Sequence, residues 1–304
     1  MTHYQLVANN KRKSFIIIFL FIAFITGATY LMAEGFDYPL SFVGIALILS
    51  GFTSLISYYF SDKIILTMSG AREAKRSEFF DFYTVTENLC LGQKMPLPKL
   101  YVVEDSAMNA FATGRNPEHA VVCATTGLLQ RLNRSEIEAV VAHELSHIKN
   151  YDMLLMSVVS ILVGFIALLG DWMLRMSFYG GGRKSDKDSG QLGAIMAIVA
   201  IILAILSPFV AQLIQLAISR RREFLADASA SEMNKNPEAL ARALEKISQD
   251  QEPLEAANKA TAHLYISDPL KNTKGALHAF AGLFNTHPPV QARVAALRQL
   301  TSKK

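Results

Sequence analysis

This chain of 304 residues contains few charged side chains and almost no cysteine. Charged residues make up 18% of it, compared with roughly 25% in soluble domains. Its two cysteines form no CxxC pair, which argues against a disulfide framework. The net charge is only +4 and no basic run alternates with aromatic residues, so nucleic acid is not expected as a partner. Hydrophobic residues instead reach 51% with a mean hydropathy of +0.24, and this composition predicts a membrane protein.

Two uncharged stretches near the N-terminus, residues 14–33 and 39–60, are long enough to cross a bilayer. The basic cluster Lys11-Arg12-Lys13 precedes the first stretch, and the turn between the two contains acidic but no basic residues. Because Lys and Arg collect on the cytoplasmic side, the N-terminus and the chain from residue 61 onward are predicted to be cytoplasmic. Residues 1–60 therefore form a predicted transmembrane hairpin.

A second hydrophobic pair lies within residues 151–218, with apolar runs at 153–170 and 192–218 around a Gly-rich loop. The pair either crosses the bilayer, which gives about four transmembrane helices, or forms a re-entrant or interfacial hairpin. In both arrangements residues 61–150 and 219–304, and with them the C-terminus, are predicted to be cytoplasmic, like the N-terminus. The predicted spans contain almost no ionisable residue, which argues against a transporter.

Residues 61–150 and 219–304 are polar enough to form a water-soluble domain in two parts. The second part is predicted to be helical, with an N-cap at Asn236. The first part is predicted to begin with a helix over residues 71–90. Three short strands are predicted to follow it, at residues 100–103, 109–113 and 120–124.

A helix is predicted after Ser135, where the sequence Ser-Glu-Ile-Glu has the spacing of a capping box. This helix contains the sequence HELSH. His143 and His147 are one helical turn apart, so both imidazoles can face one metal ion, with Glu144 beside them. A catalytic zinc ion keeps three protein ligands and one water molecule, which a neighbouring carboxylate can deprotonate. The pattern therefore predicts zinc-dependent hydrolysis with Glu144 as the general base.

A third zinc ligand is available after the last apolar run, where Glu223 and Asp227 share one face of a predicted helix. One carboxylate could bind zinc while the other accepts the free N–H of a histidine ligand. The basic residues that precede them, Arg220 to Arg222, are predicted to contact phospholipid headgroups.

Four motifs in this order resemble the HtpX branch of the Ste24/HtpX-type membrane zinc metalloproteases, the M48 peptidases. They are MNAFATG at 108–114, HELSH at 143–147, SRRREFLAD at 219–227 and THPPVQAR at 286–293. The resemblance runs through nearly the whole chain. It implies a mainly α membrane protein with about four transmembrane helices and a gluzincin-like zinc metalloprotease domain, which contains a small antiparallel β-sheet.

The resemblance also implies the roles of single residues. His143, His147 and Glu223 would bind one Zn²⁺ per chain, Glu144 would be the general base, and Asp227 would contact a histidine ligand.

An edge strand above the zinc helix would bind substrate backbone by strand addition, although an ordinary buried strand is an equal alternative. His287 would stabilise the oxyanion or have a structural role, and Arg293 would pair with a carboxylate near the zinc. The residues that match the edge strand are Asn109, Ala110, Phe111 and Ala112.

The resemblance implies cleavage of misfolded or damaged membrane proteins at the cytoplasmic face of a bacterial inner membrane, as part of quality control under stress. Two other functions use the same residues. A Ste24-like protease would process specific or lipidated substrates, and a zinc-dependent regulator would bind partners without cleaving them. Substrate preference and oligomeric state are not predicted.

Overall fold

The computed structural model describes residues 3–35, 39–162, 164–165, 220–257, 261–267, 269 and 288–302. The predicted apolar run 192–218 and His287 lie outside these residues. The helices are α1 (His3–Gly35), α2 (Ser41–Tyr59), α3 (Ser61–Met68), α4 (Phe80–Gln93), α5 (Thr126–Arg131), α6 (Arg134–Lys149), α7 (Asp152–Leu162), α8 (Arg220–Asn234), α9 (Pro237–Gln249) and α10 (Val290–Ser302). The strands are β1 (Arg72–Glu73), β2 (Lys99–Val103), β3 (Ala110–Gly114) and β4 (Ala120–Thr125), and short 3-10 turns cover Pro117–His119 and Ala262–Leu264.

The two N-terminal apolar stretches are helical, because α1 contains residues 14–33 and α2 covers most of 39–60. The two helices pack against each other and leave many large apolar side chains exposed, for example Phe19 at 69% and Ile48 at 71%. Among the described residues, no single helix is long and apolar enough to cross a membrane. The bent pair Val43–Tyr59 and Ser61–Met68, with an angle of 82°, satisfies this test by length and composition alone. The number of transmembrane helices therefore stays a prediction.

The sheet has the strand order β1-β2-β4-β3, and it is mixed rather than antiparallel as predicted. β1 pairs antiparallel with β2 and β3 pairs antiparallel with β4, but β2 and β4 are parallel. The parallel pair arises because the connector at residues 104–109 carries the chain past the position of β4 to the sheet edge. Asp105 and Asp250 hold this connector through bonds from Gly127 N to the Asp105 carbonyl (2.9 Å) and from Met108 N to the Asp250 carboxylate (2.7 Å).

Both faces of the sheet are covered, because successive strand residues point to opposite sides. Ala110 and Ala112 of β3 belong to a core that includes α4, α6, α9 and α10, whereas Phe111 packs on the other face with α3 and α7. α7 also packs against α1 through Phe21 and Leu154. The zinc-binding helix predicted from the sequence, α6, therefore lies under the edge strand β3.

Two local predictions are corrected by the structure. The predicted helix over 71–90 begins only at Phe80, because Arg72 and Glu73 form β1 on the edge of β2. The capping box of α6 lies two residues before the predicted one: the N-cap is Asn133, and its partner is Glu136. Glu136 is the favoured partner because its carboxylate is buried and also bonds to Lys246 at 2.7 Å. The predicted N-cap at Asn236 is confirmed.

Candidate metal centre

The two histidines of α6 and one carboxylate of α8 converge on a single buried point. His143 and His147 have their Nε2 atoms 3.2 Å apart. The carboxylate of Glu223 lies 3.7 Å from Nε2 of His143 and 3.6 Å from Nε2 of His147. These three side chains are at most 7% exposed and form the only such cluster of possible metal ligands among the described residues. They meet because α6 and α8 pack side by side.

This donor set fits a zinc ion. Zinc binds nitrogen and oxygen ligands at about 2.0–2.2 Å in a tetrahedral arrangement, which separates any two ligand atoms by about 3.3 Å. The two Nε2 atoms, 3.2 Å apart, match that value. The two carboxylate oxygens of Glu223 each lie slightly farther from one of them, at 3.7 and 3.6 Å. Two imidazoles and one carboxylate are also the ligands of a common class of catalytic zinc site, which leaves one position open.

Asp227 contacts the opposite side of the His143 ring from Glu223. Its carboxylate lies 3.0 Å from Nδ1 of His143, one helical turn along α8 from Glu223. A carboxylate accepts hydrogen bonds, so this contact favours a proton on Nδ1 and leaves Nε2 free to bind a metal. Of the two arrangements open from the sequence, the structure places Glu223 with the Nε2 atoms and Asp227 with Nδ1.

Arg293 is the predicted partner of a carboxylate at this site, and the structure gives it two. Its side chain is 1% exposed and donates two hydrogen bonds to Asp227, at 2.8 and 2.7 Å. Its Nη1 atom also lies 3.3 Å from Glu223 and donates to the carbonyl of Ile266 at 3.0 Å. The guanidinium therefore connects α10 to both carboxylates of α8.

The electrostatic environment differs between the two histidines. Burial lowers the pKa of His143 despite its bond to Asp227, which favours the neutral imidazole that binds metals. Burial also acts to lower the pKa of His147, but Asp152 and Glu223 outweigh it and raise that pKa to about 9. This raised pKa reflects a negative potential that favours a cation at this position.

Glu144 is 2% exposed, and burial raises its pKa to about 7. A backbone hydrogen bond from Ala112 of β3 opposes this rise. Because Glu144 also interacts with His147 and Glu223, its carboxylate lies between the candidate metal ligands and the edge strand.

The predicted substrate strand starts at the edge of the sheet but is partly paired within the chain. Asn109 precedes β3, and its side-chain amide donates a hydrogen bond to the backbone carbonyl of Ser267 at 3.0 Å. The carbonyl of Ala110 accepts a hydrogen bond from Ile266 N at 2.9 Å, whereas Phe111 faces Cys123 of β4 in the sheet register. A substrate strand would therefore add from Ala112 onward or displace the bond at Ala110.

Asp152 lies 3.2 Å from Nδ1 of His147 and is 3% exposed, a contact that the sequence does not predict. Its Oδ1 atom accepts hydrogen bonds from Asn10 at 2.7 Å and from Arg222 at 3.0 Å. Arg222, predicted to contact phospholipid headgroups, is thus bound to a buried carboxylate instead. The sequence offers one indication of its role: Asp152 is a charged residue directly before an otherwise apolar run.

Three comparisons with known proteins each found similar proteins. The profile of peptidase family M48 matches residues 80–301. Relatives called Protease HtpX homolog include that of Dictyoglomus turgidum, with 43% identity over 98% of this chain and 95% of the relative, and that of Streptococcus uberis, with 39% identity over 98% and 99%. The crystal structure of S. mikatae Ste24p matches with a TM-score of 0.47 and 18% identity, over 97% of this chain and 67% of that chain.

Proposed function

Because this chain belongs to peptidase family M48, we propose that it is a membrane-integrated, zinc-dependent endopeptidase. The observation that carries this proposal is the convergence of His143, His147 and Glu223 on one buried point, with Glu144 on the same helix. His143, His147 and Glu223 hold one Zn²⁺, and Asp227 fixes the orientation of His143. Arg293 holds Asp227 and Glu223 in place.

The reaction is hydrolysis of an internal peptide bond. Bound zinc supplies Lewis-acid polarisation of the scissile carbonyl and activates water. Glu144 takes the proton from the attacking water and passes it to the leaving amine. The backbone of the edge strand from Ala112 onward aligns the substrate as an added strand.

We place the reaction at the cytoplasmic face of a bacterial inner membrane. The exposed apolar side chains of α1 and α2 support membrane insertion, because apolar surface of this extent is rarely left in water. Both ligand helices adjoin apolar runs in the sequence: α6 ends at Lys149, and α8 begins at Arg220. A site at this position can receive misfolded membrane proteins and their cytoplasmic loops, which fits a role in quality control under stress.

The test pairs zinc content with cleavage by the purified full-length chain in detergent. Glu144→Gln is expected to retain about one zinc per chain and to lose cleavage of casein or a model membrane protein, because its amide cannot accept the proton. Glu138→Gln, on the same helix but away from the ligands, is the matched control and should cleave like the wild type.

The other possible outcomes favour a different function or refute the proposal. Zinc in all three proteins with no cleavage by any of them favours a binding or regulatory role. Cleavage of lipidated but not unlipidated peptides favours a Ste24-like processing protease. Wild type that takes up no zinc when zinc is available would overturn the proposal.

A further inference from the structure

The carboxylate of Asp152 connects the N-terminal helix to the metal site. One oxygen lies 3.2 Å from Nδ1 of His147, and the other accepts hydrogen bonds from Asn10 at 2.7 Å and Arg222 at 3.0 Å. Asn10, on α1, is 2% exposed, and Asp152, at the start of α7, is 3% exposed. The bond between Asn10 and Asp152 is buried and joins residues 142 positions apart in the chain.

The turn that carries Asp152 is conformationally unfavourable by itself. Tyr151 has a φ of 59°, a left-handed conformation that is unfavourable for a bulky residue and persists only where the surrounding structure enforces it. Asn10 donates to both sides of this residue, to the Asn150 carbonyl at 2.8 Å and to Asp152 at 2.7 Å. The ammonium group of Lys11 lies 4.2 Å from the centre of the Tyr151 ring. Helix α1 therefore holds the turn at three consecutive residues.

We propose that Asn10 of α1, acting through Asp152, positions His147 to bind the metal ion. The proposal rests on the proposed zinc site. Asp152 accepts the Nδ1 proton of His147, which directs the unprotonated Nε2 toward His143 and Glu223. Asn10 keeps Asp152 within reach by fixing the turn between α6 and α7. The N-terminal helix is therefore part of the metal site as well as a membrane anchor.

The test measures zinc affinity of the purified full-length chain by competition with a chromophoric chelator. Asn10→Ala and Asp152→Asn are each expected to weaken zinc binding by about 10–100-fold, the usual effect of removing a group that orients a ligand. Asn9→Ala is the matched control: Asn9 is on the same helix, and within the described part of the chain its side chain accepts a hydrogen bond only from Arg12, at 3.4 Å. It should leave the affinity unchanged.

A double variant separates positioning from general stability. If Asn10 acts through Asp152, Asn10→Ala should weaken zinc binding little further in the Asp152→Asn background. Wild-type affinity in Asn10→Ala, or effects that add in full, would overturn the proposal.

A second measurement distinguishes weaker zinc binding from a general loss of stability in Asn10→Ala. Zinc stabilises the folded chain by an amount that grows with the logarithm of its affinity, so we expect the zinc-induced rise in melting temperature to shrink in the variant. A melting temperature lowered equally with and without zinc would indicate a purely structural contact and overturn the proposal. Absence of zinc from the wild type would instead refute the proposed function.

Discussion

Arg293 and Asp227 form a bidentate, fully buried ion pair directly behind the metal site. The same carboxylate lies 3.0 Å from Nδ1 of His143, so one acceptor serves both the guanidinium and the imidazole. Because arginine can only donate and remains charged, it keeps the carboxylate ionised and able to accept from the histidine. Burial acts to raise the pKa of Asp227, but Arg293 outweighs it and lowers that pKa. The orientation of His143 thus depends on a residue of the last described helix.

Replacing Arg293 by Gln should destabilise the chain strongly. The substitution leaves the buried carboxylates of Asp227 and Glu223 without their cation, and breaking a buried ion pair typically costs about 3–5 kcal/mol. We also expect weaker zinc binding, because Asp227 is no longer held against His143. Thermal unfolding in detergent and zinc competition measure the two effects.

The control for this prediction is Arg298→Gln on the same helix. Arg298 pairs with Glu238 and Glu245 at the surface, where an ion pair contributes little to stability. Equal melting temperatures for the two variants would contradict the assigned role of Arg293.

Gly127 allows the backbone of the connector at residues 104–109, which leads to β3, to pass close to it. A Cβ atom at this position would lie 2.0 Å from the carbonyl oxygen of Ser106, a backbone atom that cannot rotate away. Gly127→Ala should therefore cost about 1–3 kcal/mol, as overpacking does. Gly92→Ala in helix α4 is the comparison, since a Cβ added there would meet no atom within 4 Å among the described residues outside its own stretch of helix. A lower melting temperature for Gly127→Ala alone is the expected result, and equal values would contradict the close contact.

The proposed topology places α4 in the cytoplasm and the end of α1 outside. A cysteine at Leu91, whose native side chain is 78% exposed, should react with an impermeant thiol reagent only after cells are permeabilised. A cysteine at the exposed Glu34 should react in intact cells. The native Cys90 and Cys123 are both buried, and burial raises the pKa of Cys90 to about 11, so background labelling should be low. Labelling of Leu91→Cys from outside would refute this topology.

The predicted family is confirmed. Local spacing also predicts which side chains of the candidate site share a helical face. The positions of His143 and His147 on one helical face follow from the period of the helix alone. The same period places Glu223 and Asp227 on one face, so it cannot say which of the two meets the Nε2 atoms. That choice depends on how α6 and α8 pack, which no local pattern contains.

The features of the structure that the sequence does not predict depend mainly on contacts between residues far apart in the chain. Asn10 and Asp152 meet across 142 positions, and neither belongs to a periodic pattern that indicates their contact. The parallel pairing of β2 and β4 depends on the path of residues 104–109, which is held by the distant Asp250. The strands themselves were predicted within one residue of their observed ends.

The start of α6 offers a final test, because two capping boxes compete there in the sequence. Asn133 accepts a hydrogen bond from Glu136 N at 3.0 Å, and Glu136 accepts one from Asn133 N at 2.9 Å. Asn133→Ala should lower the free energy of unfolding by about 1 kcal/mol, the usual effect of removing an N-cap. Ser135→Ala should change it little, since the Ser135 hydroxyl bonds only to Asn133. A larger loss in Ser135→Ala than in Asn133→Ala would place the cap at Ser135, as the spacing of Ser135 and Glu138 alone predicts.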